Sequence, residues 1–141
     1  MNRFVFLAIA LSFTLIPAVG AEGRAPHAAK GYAAPGVTES VLYAFRGSTQ
    51  LDGAGPRGLL YMAHNGTLFG ATAGGGVNAG VDFQLAPSSS GYAESVLYRF
   101  SGGTDGGSPE GRFVADGSGT LYDVTDYDFG TVYALRPTAS G

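Results

Sequence analysis

Glu39-Ser-Val-Leu-Tyr-Ala-Phe45 occurs twice in this chain, returning as Glu94-Ser-Val-Leu-Tyr-Arg-Phe100, 55 positions on and changed at one residue. A spaced repeat sets the architecture before any local assignment is made. Asp52-Gly-Ala-Gly-Pro56 follows the first copy and Asp105-Gly-Gly-Ser-Pro109 follows the second, at an offset of 53. Asn65-Gly-Thr-Leu-Phe69 is answered by Ser118-Gly-Thr-Leu-Tyr122 at the same offset. Gly80-Val-Asp-Phe-Gln-Leu-Ala-Pro87 is answered by Gly130-Thr-Val-Tyr-Ala-Leu-Arg-Pro137 at an offset of 50, so the second unit lacks three residues of the glycine-rich loop before its last strand. Landmarks in fixed order, separated by loops of changing length, mark tandem β-units.

Each landmark also reads locally as a strand or a turn. Val41, Tyr43 and Phe45 alternate with Leu42 and Ala44, and their β-branched and aromatic content favours a strand. Strands are expected at 39–45, 58–63, 67–72 and 81–85, then at 94–100, 112–116, 120–125 and 131–135. His64-Asn65-Gly66 reads as a hairpin turn, because Asn-Gly readily supplies the two φ > 0 residues of a type I′ turn. Gly117-Ser-Gly119 is its counterpart. No amphipathic helix is found beyond residue 21. Each unit of roughly 50 residues thus holds four short strands, the content of one propeller blade.

The series E-S-V-L-Y-x-F, D-G-x-x-P, G-T-L-Y, glycine loop and G-T-V-Y-x-L-x-P resembles the GloVer tandem repeat of the bacterial "choice-of-anchor" secreted proteins. The resemblance spans residues 39–137. It implies propeller-type blades and no particular chemistry. This chain departs from that pattern in having two units only, and in placing Tyr127-Asp-Phe129 where the second unit's glycine loop would be. The expected fold is all-β, two four-stranded propeller-type blades forming an incomplete β-propeller. Residues 57–100 form one whole blade and residues 112–136 supply three strands of another. The strand at 39–45 is of the type the second blade lacks, so it is expected to complete that blade. Two blades cannot close a ring by themselves, since rings take about four to eight, so homo-oligomerisation through blade edges is expected.

Composition and the amino terminus set the address. Arg3 precedes an apolar run from Phe4 to Ile16; Pro17 breaks it, and Ala18-Val-Gly-Ala21 supplies small residues for cleavage after Gly20 or Ala21. This reads as a signal peptide over 1–21, followed by a flexible lead-in at 22–38 rich in Ala, Pro and Gly, the repeat domain at 39–137, and a tail at 138–141. The expected location is secreted or periplasmic, with no membrane insertion after cleavage. The absence of cysteine excludes a disulfide framework, thiolate metal sites and thiol catalysis. The net charge of −3 argues against nucleic acid as a partner.

The aromatics Tyr43, Phe45, Phe69, Phe83, Tyr98, Phe100, Phe113, Tyr122 and Tyr133 recur at matching strand positions. They could offer a glycan-stacking platform, but repetition at strand period favours the core of a β-protein without tryptophan. Asp123, Asp126 and Asp128, with Asp116 nearby, form an acidic cluster of the kind hard cations use. It lacks the EF-hand spacing and its closing glutamate, so solvated turn acids are the economical reading. Asp52 and Asp105 open equivalent turns and read as Asx-turn acceptors. Glu94 and Glu110 could serve glycoside hydrolysis, although nothing in the sequence sets their separation. His27 and His64 have no second histidine at ligand spacing. No cofactor is expected. The leading reading is an exported non-catalytic binding or interaction module, with carbohydrate the first ligand class to try. The alternatives are a structural unit of a self-assembling β-ring, a glycoside hydrolase and a truncated remnant.

Overall fold

The computed structural model describes residues 34–47 and 49–138. The expected signal peptide, His27 and most of the lead-in lie outside them. Among the described residues there is no helix. Four strands, β1 (Ala54–Met62), β2 (Leu68–Gly74), β3 (Val81–Ser88) and β4 (Gly91–Arg99), form one antiparallel sheet in sequence order. Three more, β5 (Val114–Ala115), β6 (Leu121–Val124) and β7 (Val132–Leu135), form a second. The first sheet takes β1 to β3 from the first repeat copy and β4 from the second, and the second sheet is one strand short.

The hairpins are alike in both units, but they are not the expected type I′ turns. The Ala63 N–H donates to the Thr67 carbonyl and the Gly66 N–H donates back to the Ala63 carbonyl, both at 2.9 Å. Asp116, Thr120 and Gly119 repeat this pattern. Only the third loop residue has positive φ, +82° at both Gly66 and Gly119. That is a type I turn followed by a left-handed glycine. Asn65 keeps its backbone in the ordinary region and uses its side chain instead, accepting the Thr67 N–H at 3.1 Å. The next hairpin, between β3 and β4, closes through the pair Ser88↔Gly91.

The largest correction concerns residues 39–45. They contain no regular strand, and they do not complete the second sheet. Tyr43 and Phe45 instead pack against Leu68, Phe83 and Leu85 of the first sheet. The second copy shows why. Residues 94–99 form a strand because β3 lies alongside to receive their hydrogen bonds. Residues 39–45 carry the same sequence without such a neighbour, and strand propensity alone does not hold a strand.

The sheets meet through residues 100–111. The Phe100 N–H donates to the Gly80 carbonyl (3.1 Å) and the Ser108 N–H to the Ala79 carbonyl (2.7 Å) on the first-sheet side. The Glu110 N–H donates to the Val124 carbonyl (3.0 Å) and the Asp126 N–H to the Ser108 carbonyl (3.2 Å) on the second-sheet side. Gly58, at φ +70°, lies so close to this connection that a Cβ there would meet the Glu110 carbonyl oxygen at 2.0 Å. Only glycine fits. Phe100 is the largest side chain fully buried, and Val81, Phe83, Leu85, Phe113 and Leu121 are buried with it. Each such side chain contributes about 1.5–3 kcal/mol by leaving water.

Candidate functional site

The repeat produces one local arrangement twice. In the first unit, Tyr43 and Phe45 meet edge to face at 5.1 Å and Phe45 meets Phe83 at 4.9 Å. In the second, Tyr98 and Phe100 meet at 4.9 Å and Phe100 meets Tyr133 at 5.1 Å, again edge to face. Tyr133 occupies the position of Phe83 in the repeat. Beside each trio opens an apolar cleft. The first, about 380 Å³, is lined by Tyr43, Phe45, Leu60, Phe83 and Leu85 among others. The second, about 290 Å³, is lined by Tyr98, Phe100, Tyr133 and Leu135 with Asp105 at its side. The two clefts share repeat-equivalent residues at Tyr43 and Tyr98, Phe45 and Phe100, Phe83 and Tyr133, and Leu85 and Leu135, and differ in the rest of their lining.

A carboxylate braces each one. Asp52 accepts the Tyr43 hydroxyl at 2.7 Å and the Arg46 N–H at 3.0 and 3.1 Å. Asp105 accepts the Tyr98 hydroxyl at 3.1 Å, the Ser101 N–H at 2.9 Å and the Ser101 hydroxyl. Both aspartates therefore reach back along the chain to fasten the Tyr-x-Phe segment; they are not forward Asx-turns. The bonds from Ser101, ahead of a smaller one from Tyr98, hold the Asp105 carboxyl down at about 2. Burial, then the Asp52 hydrogen bond, raises the Tyr43 phenol well above its usual range, so it remains a donor. Asp52→Ala would leave the Arg46 N–H and the Tyr43 hydroxyl unpaired. The expected loss is about 1.5–3 kcal/mol, with early proteolytic cleavage within 39–47 while the sheets stay resistant. Unchanged cleavage kinetics at that segment would contradict the bracing role.

A second polar feature lies under the junction. Asp82, on β3, is fully buried and neither carboxylate oxygen has a hydrogen-bond partner among the described residues. Burial pushes it up to about 7, helped by the charge of Asp123 and opposed by the Tyr133 hydroxyl. Asp123 is also buried, but it accepts the Gly111 N–H at 2.7 Å, the Arg112 N–H at 3.2 Å and the Tyr133 hydroxyl at 3.4 Å. Burial and the two nearby carboxylates raise the Tyr133 phenol far above its ordinary value, so it stays neutral and donates to Asp123. The repeated landmarks do not mark this cluster, yet the sequence carries its signal. Asp82 stands where the other unit has Val132, and Asp123 stands where the other has Gly70. A charge that breaks a repeat at an apolar or small position marks a local polar requirement.

The remaining sequence candidates fall apart in space or are already engaged. Asp123 holds backbone, Asp126 is exposed, and Asp128 sits at φ +57° in a turn. Among the described residues no three of His, Asp or Glu gather as a metal site. Asp116 accepts the Ser118 and Thr120 N–H groups at 2.9 and 3.0 Å and is held at about 2, chiefly by Ser118. Glu94 lies on β4 against Tyr43 and Asp52, and burial followed by the Asp52 charge raises it. Glu110 faces Arg57 at 3.8 Å. The two glutamates therefore have unrelated surroundings. His64 lies in the first hairpin loop.

Chemically, the clefts offer aromatic and aliphatic surface, while the Tyr43, Asp52, Tyr98 and Asp105 polar atoms beside them are bonded within the fold. A sugar needs free hydrogen-bonding groups beside a ring. An apolar side chain or an added strand needs none. In comparisons with family models, with curated proteins and with solved structures, no match to this chain was found.

Proposed function

We propose that this chain is an exported, non-catalytic interaction module of two propeller-type blades, the second incomplete, and that its partners are protein surfaces. Its sequence resemblance to the GloVer repeat and the signal-like residues 1–21 support export to the cell surface or periplasm. The observation that carries the reading is apolar exposure of the outer strands. Leu59, Leu60 and Met62 on β1 and Val132 on β7 are each more than half exposed. An isolated protein rarely leaves so much large apolar surface on sheet edges open to water. The clefts, apolar and poor in free polar groups, favour peptide over glycan.

The test is the solution mass of residues 22–141, by light scattering after size exclusion across a concentration series. A mass above one chain, rising with concentration, is expected. A monomer at every concentration, showing no binding of a hydrophobic-surface dye, would overturn the reading. A structural role in a self-assembling ring is the second reading, favoured by the complementary ends of the repeat.

A further inference from the structure

The second sheet ends at β7 with no fourth strand among the described residues, while residues 39–45 are a fourth-strand sequence without a sheet. We propose that residues 39–45 of one copy pair with β7 of a second copy, as β4 pairs with β3 within the chain. This rests on the interaction-module reading and names the partner as the same protein.

The intact unit is the template. Its 94–100 segment serves two sheets at once. Its backbone hydrogen-bonds to β3 of the first sheet, while Tyr98 and Phe100 pack toward Tyr133 of the second. Residues 39–45 fulfil half of this role. Tyr43 and Phe45 pack on the sheet that follows them. Among the described residues, no backbone-to-backbone hydrogen bond reaches 39–45. Residues 39–43 are identical to 94–98, the stretch that pairs with β3 from Asp82 to Leu85.

The receiving edge shows the complementary deficit. On β3, covered by β4, Asp82 is fully buried; at the equivalent place on β7, Val132 is 83% exposed. Transferring the β3–β4 register gives the pairing. Leu85↔Glu94, Gln84↔Ser95 and Phe83↔Val96 become Leu135↔Glu39, Ala134↔Ser40 and Tyr133↔Val41. Each contact is head to tail, so it repeats the junction between the chain's own sheets and propagates around a ring or along a filament. Rings of about four to eight blades would take roughly two to four copies.

Because the chain has no cysteine, a thiol pair reports this register cleanly. Gln84 Nε2 donates to Ser95 Oγ at 3.0 Å, so side chains at this pair meet on one face. Ser40→Cys and Ala134→Cys are made separately and mixed under mild oxidation. A covalent heterodimer is expected in the mixture and in neither variant alone. Ser40→Cys mixed with Leu135→Cys, one residue out of register and on the opposite face, is expected not to couple. A synthetic peptide of residues 36–46, added in excess to the unmutated chain, is expected to lower the assembled mass. An oligomer that yields neither the in-register crosslink nor a response to the peptide overturns the strand pairing and leaves the interaction reading standing. A monomer at all concentrations overturns both.

Discussion

Phe100→Ala is expected to destabilise the chain by about 3–5 kcal/mol, the range for emptying a buried phenylalanine site. Against a typical domain stability of about 5–15 kcal/mol, much of the chain would unfold near room temperature at the lower end. Phe100 is 1% exposed and touches both Tyr98 and Tyr133. Its backbone is tied to Gly80 on one side while its ring lies against the second sheet on the other. The cavity left by alanine cannot collapse without moving both sheets. Phe45 occupies the same place in the repeat but is only half-buried, because no sheet precedes it among the described residues. Phe45→Ala is therefore expected to cost less than half as much in dilute protein. Urea unfolding midpoints of the two variants, measured at one low concentration, decide the matter. Equal losses would show that the preceding sheet contributes nothing to burying this ring. At concentrations where copies associate, the gap between the two variants is expected to narrow.

The second large effect concerns pH. Asp82 titrates near its ordinary value of 3.8 in the unfolded chain and at about 7 in the folded one, mainly through burial. A carboxyl raised in this way binds a proton on folding. Its contribution is full below about pH 3.8 and is lost as pH rises through about 7, because folding must then bury a charge or take up a proton. With one pKa unit worth about 1.4 kcal/mol, the loss across the window is on the order of 4 kcal/mol. Glu94 is raised also and acts in the same sense. Asp105 and Asp116, held at about 2, act in the opposite sense, but only as pH falls below 3.8. Stability is therefore expected to peak in mild acid and to fall toward pH 8. Asp82→Asn keeps the shape and removes the titration. It should flatten that fall and leave the variant more stable than the parent at pH 8. Parallel unfolding profiles for parent and variant between pH 5 and pH 8 would refute this account.

Much of the fold could be read from the sequence because the repeat compares the chain with itself. Seven of the eight expected strands lie where alternation and turn residues put them, and the G-T-L-[FY] hairpins superpose in kind. What could not be read depended on which partner each backbone group and side chain finds in the fold. Whether 39–45 forms a strand depends on a neighbour, not on its residues, which are nearly those of 94–100. Asn65-Gly66 carried the type I′ signature, but Asn65 satisfied the Thr67 N–H with its side chain, and a different turn resulted. The second unit's first strand shrank to Val114–Ala115. Upstream of it, the Gly111 and Arg112 N–H groups bond to the Asp123 carboxylate and not to a neighbouring strand. The clefts were half visible: their aromatics stood out by repetition, but the first takes its shape from residues 41–45 lying against the first sheet and the second from residues 98–105 lying against β7.

The phase of the repeat bears on how such a gene can change in length. The repeated unit begins with the strand that finishes the sheet before it and ends with the third strand of its own sheet, as residues 94–137 do between β4 and β7. Inserting or deleting one whole unit therefore creates or removes one complete sheet and one complete junction. Among the described residues this phase leaves 39–45 without a backbone partner and β7 with one open edge. A gene built in this phase can gain or lose whole units by unequal recombination while every junction between sheets stays of one kind.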